Sequence, residues 1–268
     1  MSICIHPFSE PSSGSYGFIV VNPESSTAAI IDAPLGVNEQ WEVNTDCADQ
    51  MIDWIESHHV TVRFLLDTHV HADRPSATAY LKSHFLCATS GIGRGIPDLV
   101  GYDRLFNDGD KICLGHACGR VIATPGHTPG CVSYLFDQYV FVGDTLFMPD
   151  VGTARCDFPG GNADVLYESI GKILALPDET RIFMCHDYPQ GRRSRFVTTV
   201  AEEKAENIHV GDAAVQADFV RLRNARDATL RAPKWAEFSI PANLGCMNVQ
   251  NIKAVIETGS AKPEQAHL

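Results

Sequence analysis

The chain has 268 residues, 44% of them hydrophobic, which is enough to bury a sizeable core in one large domain or two small ones. Its formal net charge of −12 disfavours nucleic-acid binding, because few side chains are available to neutralise phosphates. No apolar run approaches the roughly 20 residues that span a bilayer, so we predict no membrane segment, and residues 1–16 show no signal-peptide pattern.

Nine cysteines are scattered along the chain without paired spacing. An odd number in this arrangement favours reduced thiols over a disulfide framework, and reduced thiols are typical of the cytoplasm. We therefore predict a cytoplasmic protein. The mitochondrial matrix is the alternative, because a cleaved transit peptide leaves no trace in a mature chain.

Hydrophobic periodicity and turn residues predict an alternation of strands and helices. In chain order, the predicted elements are strands at 17–22 and 27–34, a helix at 46–59, a strand at 62–68, a helix at 75–85, a strand at 118–126, two strands within 131–144, a helix at 163–176, a strand at 180–186, and helices at 195–210 and 213–230. From about Ala232 the chain is poorly patterned, so we expect an extended tail that frays after Ile256. No repeat or linker interrupts this order, and we predict a single domain over residues 1–268.

Residue types that bind metals recur in one kind of place, directly after an apolar predicted strand. The four clusters are His69, His71 and Asp73 in "THVHADRP", His127 in "GHTPG", Asp144 in "GDTLF", and His186 with Asp187 in "CHDY". Rigid strands position the loops that follow them, and α/β scaffolds place functional groups in such loops. Imidazole and carboxylate together suit zinc, iron(II) or manganese.

A single histidine at a strand end is usually a polar residue with an ordinary hydrogen bond. Four clusters in succession are much harder to explain in that way, so we interpret them as one metal site assembled by the fold. Gly126 and Gly130 flank His127, and Gly143 precedes Asp144. We expect these glycines to let the backbone pass close to the metal.

The segment "THVHADRP" resembles the T-H-x-H-x-D-H motif of the metallo-β-lactamase superfamily, and "GHTPG", "GDTLF" and "CHD" follow in the order of that superfamily's remaining motifs. The resemblance covers about residues 15–245. It implies an α/β fold of the αββα type, in which two mixed β-sheets pack face to face with helices outside and the metal lies at one edge.

Residues 143–170 and 184–188 look like the persulfide dioxygenase branch of the superfamily, which is related to glyoxalase II. Members of that branch oxidise the outer sulfur of glutathione persulfide with O₂, giving sulfite and glutathione, and use one iron(II) held by two histidines and one aspartate. Carried onto this chain, the ligands are His69, His127 and Asp144. The implied partners are a small-molecule persulfide and O₂, and a homodimer is expected from the resemblance alone.

Arg74 departs from the motif, because it stands at the position of the third histidine. A guanidinium is always cationic and has no lone pair to give a metal, so the sequence favours one metal over two. Asp73 is then expected to pair with Arg74 or a neighbouring cation. His71 is expected to be a hydrogen-bond partner that orients the site, with ligation as the alternative in a zinc enzyme. We interpret Arg74 as drift in a surviving enzyme; an altered or lost activity is the alternative.

The resemblance also suggests roles around the metal. His186, Asp187 and Tyr188 are expected to be catalytic residues: His186 and Asp187 orient the site from the facing loop, and Tyr188 offers a hydroxyl that can also bind the substrate. Arg155 is a candidate for the substrate's carboxylate, since a guanidinium grips a carboxylate with two prongs; an ion pair with Asp157 is an equal alternative.

The rival function is a zinc-dependent thioester hydrolase of the glyoxalase II type, in which a metal-bound water attacks a carbonyl. Arg74 speaks against the two-metal form of such an enzyme. A one-zinc form with His69, His71, His127 and Asp144 as ligands remains open. A binding protein that retained only the scaffold is the least favoured reading, because the three predicted ligands are intact.

Overall fold

The computed structural model describes residues 3–189, 191–211 and 214–257, and these contain fourteen strands and seven helices. The strands are β1 (Cys4–Glu10), β2 (Ser15–Asn22), β3 (Thr27–Ile31), β4 (Gly36–Val37), β5 (Val43–Asn44), β6 (Thr61–Leu66), β7 (Thr89–Gly93), β8 (Arg104–Phe106), β9 (Lys111–Leu114), β10 (Ala117–Ala123), β11 (Val132–Phe136), β12 (Tyr139–Phe141), β13 (Arg181–Phe183) and β14 (Val197–Thr199). The helices are α1 (Asp46–Ser57), α2 (Thr78–His84), α3 (Ala163–Leu174), α4 (Val200–Glu206), α5 (Gln216–Asp227), α6 (Ala236–Leu244) and α7 (Val249–Glu257).

Two mixed sheets of six strands each form the centre of the fold. The first has the order β1-β2-β3-β6-β7-β8, and the second β14-β13-β12-β11-β10-β9. Strands β3, β6, β7 and β8 run parallel to one another, whereas β12 and β13 are the parallel pair of the second sheet. Parallel strands deliver their carboxyl ends to the same edge of a sheet, and this arrangement gathers the loops that carry the histidines.

Strand β2 shows how the layers are packed. Phe18 and Val20 belong to an apolar cluster that also contains Phe141 and Phe183 of the second sheet. Ile19 lies on the opposite face of β2, in a cluster shared with α1, α2, α6 and α7. Side chains alternate between the two faces of a strand, so one face fills the space between the sheets and the other receives helices. With α3 and α5 covering the second sheet, the fold is the predicted αββα sandwich.

Two predicted elements are wrong. The stretch predicted as a helix at 195–210 contains the edge strand β14, which pairs with β13 before α4 starts. The C-terminal tail is not extended but forms α6 and α7, because Phe238 and Ile252 are buried against the first sheet's helices. The region beyond Glu257, where fraying was predicted, lies outside the described residues. None of the helices described is both long and apolar enough to cross a membrane.

The expectation of reduced cysteines is wrong for one pair. Cys113 on β9 and Cys118 on β10 face each other across antiparallel strands and form a disulfide. Sequence spacing did not reveal them, because the pairing depends on the register of the hairpin. The remaining seven cysteines, all in the described part of the chain, are free.

Glu203 on α4 predicts how stability depends on pH. Its side chain is fully buried, and Oε1 has no hydrogen-bond partner among the described residues. Burial raises the pKa of Glu203 from 4.5 to about 8. Between pH 4.5 and 8 the folded protein therefore keeps a proton on Glu203 that the unfolded chain releases. The free energy of unfolding consequently falls as the pH rises through this range. We expect Glu203→Gln to raise the free energy of unfolding by about 2–4 kcal/mol above pH 8.

Urea unfolding at several pH values measures this effect. The gain should shrink toward zero near pH 4.5, where the carboxyl is protonated in both states of the wild type. Glu206→Gln is the matched control, since Glu206 is exposed on the same helix. A gain that does not change with pH would contradict the assignment to Glu203 ionisation.

Candidate metal centre

Three loops bring the three predicted ligands together. His69 follows β6, His127 follows β10, and Asp144 follows β12. The Nε2 atoms of His69 and His127 lie 3.8 Å and 3.7 Å from Oδ2 of Asp144. One donor atom from each of the three residues falls within 4.8 Å of the others. The sequence-predicted triad is thus a compact, buried cluster.

Neighbouring hydrogen bonds orient the ring of His69. The hydroxyl of Thr68 donates to the carboxylate of Asp32 at 2.9 Å, so its oxygen accepts from Nδ1 of His69 at 3.0 Å. Burial and the neighbouring His71 hold the pKa of His69 well below its ordinary value, so the ring is neutral. Its Nε2 therefore carries a lone pair and is buried without a hydrogen-bond partner among the described residues.

His127 is oriented in the same way by a different partner. Its Nδ1 donates to the backbone carbonyl of Arg155 at 2.7 Å, and this leaves Nε2 directed at Asp144. A hydrogen bond from the second ring nitrogen commonly fixes the tautomer of metal-binding histidines.

The glycines near the ligands are closely packed against neighbouring parts of the protein. A Cβ at Gly126, whose φ is +139°, would lie 2.4 Å from the backbone of Leu166 on α3. At Gly143, whose φ is +51°, a Cβ would lie 2.1 Å from Oγ1 of Thr68, and at Gly130 it would lie 2.0 Å from Ile96. These glycines permit close packing of protein against protein around the ligands.

Asp144 completes the donor set. Burial would raise the pKa of its carboxyl, but His186, His69 and His127 outweigh burial and hold that pKa below its ordinary value. The thiol of Cys185 donates to Oδ1 at 3.0 Å, leaving Oδ2 facing the two histidines. Two imidazoles and one carboxylate, with an unpartnered buried nitrogen aimed among them, fit a divalent transition metal.

Arg74 is fully enclosed beside this cluster, with 1% of its surface exposed. Its Nη2 donates to the carbonyl of Asp32 at 2.9 Å and lies 3.3 Å from Nε2 of His71. Asp73 does not form an ion pair with Arg74 among the described residues; it pairs with His186 instead, at 3.3 Å. The predicted "neighbouring cation" is therefore His186.

His71 lies between a donor and an acceptor. Its Nε2 is 3.2 Å from Oδ1 of Asp32 and 3.3 Å from Nη2 of Arg74. Burial and Arg74 lower the pKa of His71 to about 3, so the ring is neutral. Its Nδ1 is buried without a partner in the described part of the chain. Accepting from Arg74 would place the ring proton on Nδ1, whereas donating to Asp32 would leave Nδ1 free to ligate.

His186 and Asp187, which lie in the loop after β13, have different surroundings. Burial alone would lower the pKa of His186, but Asp73 and Asp144 raise it above its ordinary value. Asp187 is held by Nη1 of Arg192 at 2.6 Å and by the backbone N–H of Arg195 at 2.6 Å. These contacts give no support to the prediction that Asp187 is catalytic.

Tyr188 and Arg155 both line a cavity of about 530 Å³ that opens at the triad. The ring of Tyr188, which is 50% exposed, stacks on His186. Arg155 forms the alternative ion pair: its Nε and Nη2 donate to the two carboxylate oxygens of Asp157. The two nitrogens of Arg155 that could bind a substrate carboxylate are thus already bound to Asp157.

Two residues that support the site were missed. Asp32 follows β3 and connects Thr68, His71 and Arg74; it ends an apolar strand, which is the same signal that identified the ligands. Asn243 on α6 donates to the carbonyls of His71 and Arg74 and accepts from the N–H of Ser76. No pattern in the local sequence identifies Asn243, which lies in the segment that was predicted to be an extended tail.

An αββα sandwich with a histidine and aspartate cluster at the ends of its strands defines a class of metalloenzymes. The metallo-β-lactamase superfamily profile matches residues 53–186, and the chain belongs to that superfamily. Glyoxylase B2 of Dictyostelium discoideum is 39% identical, with 90% of this chain and 89% of that protein covered.

The mitochondrial persulfide dioxygenase ETHE1 of Homo sapiens is 30% identical, with 91% of this chain and 89% of that protein covered. A crystal structure of ETHE1 from Myxococcus xanthus superposes with a TM-score of 0.79 at 29% identity, covering 91% of this chain and 100% of that one. These relatives support the persulfide dioxygenase branch. Family and donor set together indicate an enzyme with a metal cofactor.

Proposed function

We propose that the protein is a dioxygenase with one iron(II) per chain, which oxidises glutathione persulfide or a related low-molecular-weight persulfide. The observation that carries this proposal is the buried guanidinium of Arg74, 3.3 Å from His71, at the position where a histidine ligand of a second metal is expected. A cation there repels a second dication. The ligands that remain for a single metal are His69, His127 and Asp144, which form the two-histidine, one-carboxylate set of non-haem iron(II) oxygenases.

The proposed reaction converts one persulfide, one O₂ and one water to a thiol, sulfite and two protons. Iron(II) bound by the triad would supply the electrons that activate O₂. Asp144 would balance part of the metal's charge. The hydrogen bonds that the two Nδ1 atoms donate to the Thr68 oxygen and the Arg155 carbonyl keep both Nε2 atoms directed at one point. Phe147 and Phe158 line the cavity and exclude water from the reacting sulfur. The half-exposed hydroxyl of Tyr188 is placed to contact the substrate.

The names of the relatives support both the proposal and its rival. ETHE1 relatives are named persulfide dioxygenases, whereas the more similar Dictyostelium protein is named glyoxylase B2. Cytoplasmic location, with the mitochondrial matrix as alternative, and a homodimer remain parts of the proposal that come from the sequence alone, as does a single domain.

The decisive measurement is metal content after anaerobic purification, combined with O₂ uptake on addition of glutathione persulfide. We expect about one iron per chain, prompt O₂ uptake, and one sulfite formed per O₂ consumed. Protein stripped by a chelator and reloaded with zinc is the control, and it should consume no O₂. Zinc near two per chain, with thioester hydrolysis and no O₂ uptake, would defeat the proposal.

A one-zinc thioester hydrolase is the second candidate. The observation in its favour is the unpartnered Nδ1 of His71, which would serve as a fourth ligand if the ring donates to Asp32. His71→Ala separates the two functions. The dioxygenase should retain its iron in this variant, whereas a hydrolase that uses His71 as a ligand should lose most of its zinc.

A further inference from the structure

The charged side chains that line the cavity are nearly all neutralised by partners. Asp150 is bound through both oxygens by Arg192, and Asp73 pairs with His186. On the positive side, Arg155 is bound by Asp157, as described above. Arg223 donates twice to Asp227, with Nε and Nη2 at 2.9 Å and 2.6 Å from Oδ1. Asp144 belongs to the metal triad.

Arg226 is the exception. Its side chain lines the same cavity from α5, and no carboxylate of the described residues lies within ion-pair distance of its guanidinium. Its Nη1 instead donates to Nε2 of His209 at 2.9 Å. Arg226 is also exposed to solvent, so an incoming ligand can reach it.

His209 orients Arg226 without cancelling its charge. The imidazole is buried, and because its Nε2 accepts from Arg226, its proton lies on Nδ1, which donates to the hydroxyl oxygen of Thr153 at 3.1 Å. Burial, together with Arg223 and Arg226, lowers the pKa of His209 to about 4, so the ring is uncharged at neutral pH. At Gly152 a Cβ would lie 2.2 Å from Nδ1 of His209, which shows how closely the ring is packed. An uncharged acceptor therefore holds one nitrogen of the Arg226 guanidinium, and the other N–H donors of this group have no partner among the described residues.

We propose that Arg226 binds the carboxylate of the substrate and thereby selects thiol persulfides that carry an anionic group. The inference rests on the proposed function, since it assigns a residue to that same substrate. A guanidinium with free donors pairs with carboxylate through parallel hydrogen bonds. Phe147, Val151 and Leu230 line the same cavity as Arg226 and Asp144, and they give it an apolar wall suited to the organic part of such a molecule.

Binding is tested first, because it does not require turnover. Glutathione and its dimethyl ester are titrated by calorimetry into the metal-loaded protein. We expect the wild type to bind glutathione at least about ten-fold more tightly than the ester, and Arg226→Gln to lose about 10- to 100-fold in affinity for glutathione alone, the value of one charge-assisted contact. Arg226→Lys should recover part of that loss, because it restores the charge but not the fork.

Arg221→Gln is the matched control, since Arg221 is exposed on the same helix and pairs with Asp218 rather than facing the cavity. It should bind glutathione as the wild type does. Equal affinity of the wild type for acid and ester, absence of binding by either, or an equal loss in Arg221→Gln would overturn the inference.

Steady-state kinetics then separate this inference from the proposed function. With glutathione persulfide, Arg226→Gln should raise KM by about ten-fold or more with kcat changed less than about two-fold, the pattern of lost uniform binding. With uncharged 2-hydroxyethyl persulfide, neither constant should change. Binding of glutathione through Arg226 without any O₂ uptake would support the inference and refute the dioxygenase. O₂ uptake with an equal effect of Arg226→Gln on both persulfides would support the dioxygenase and refute the inference about Arg226.

Discussion

Asp144→Ala is expected to abolish iron binding and to reduce persulfide-dependent O₂ uptake by about a thousand-fold or more. Asp144 is the shared anionic neighbour of His69 and His127, with Oδ2 within 3.8 Å of both Nε2 atoms. Its removal leaves two imidazoles without an anionic ligand, and this donor set is too weak to retain a divalent ion. Elemental analysis and an oxygen electrode measure the two effects separately.

Asp178→Ala is the control for this variant. Asp178 is an exposed carboxylate that pairs with Lys204 on the surface, so its loss should change neither metal content nor turnover. The thermal unfolding of Asp144→Ala should remain cooperative, which would show that the variant is folded. Retention of one iron per chain, or of turnover with any candidate substrate, would show that the reaction is not centred on the triad.

Arg74→Met is expected to lower the free energy of unfolding by about 3–5 kcal/mol, the range for breaking a buried charged network. Methionine fills a similar volume but leaves the carbonyl of Asp32 without its donor at 2.9 Å. It also removes the cation that opposes the effect of burial on Asp32, whose pKa burial raises to about 6 even with Arg74 present. Denaturant unfolding of the metal-free protein measures the effect without a contribution from metal binding.

Arg221→Met serves as the comparison, because Arg221 is exposed and its pairing with Asp218 contributes little. We expect it to change stability by less than about 0.5 kcal/mol. If Arg74→Met lowered the free energy of unfolding by less than about 1 kcal/mol, the contacts of Arg74 with Asp32 and His71 would contribute little to stability. Such a small loss would also weaken the argument that a fixed cation excludes a second metal.

The position of the ligands could be read from local sequence because each ligand ends an apolar strand. His69, His127 and Asp144 all follow runs whose hydrophobicity predicts burial, and the structure brings them to one point. The same rule would have identified Asp32 after β3. Roles that depend on a partner could not be read in this way. For Arg155, binding of a substrate carboxylate and an ion pair with Asp157 were equally expected from the sequence, and only the tertiary structure shows the ion pair.

The sequence by itself determined the order of the metal-binding clusters and the substitution of a cation for a ligand at Arg74, because these features depend on residue type and on local periodicities of 2 and 3.6 residues. The fold class was implied by the resemblance of these motifs to those of the superfamily. Tertiary structure alone decided that Asp73 pairs with His186, that α6 supports the metal loop through Asn243, and that Arg226 lines the cavity with no carboxylate partner among the described residues. Each depends on which distant side chain comes within hydrogen-bond reach, and sequence separation carries no information about that distance.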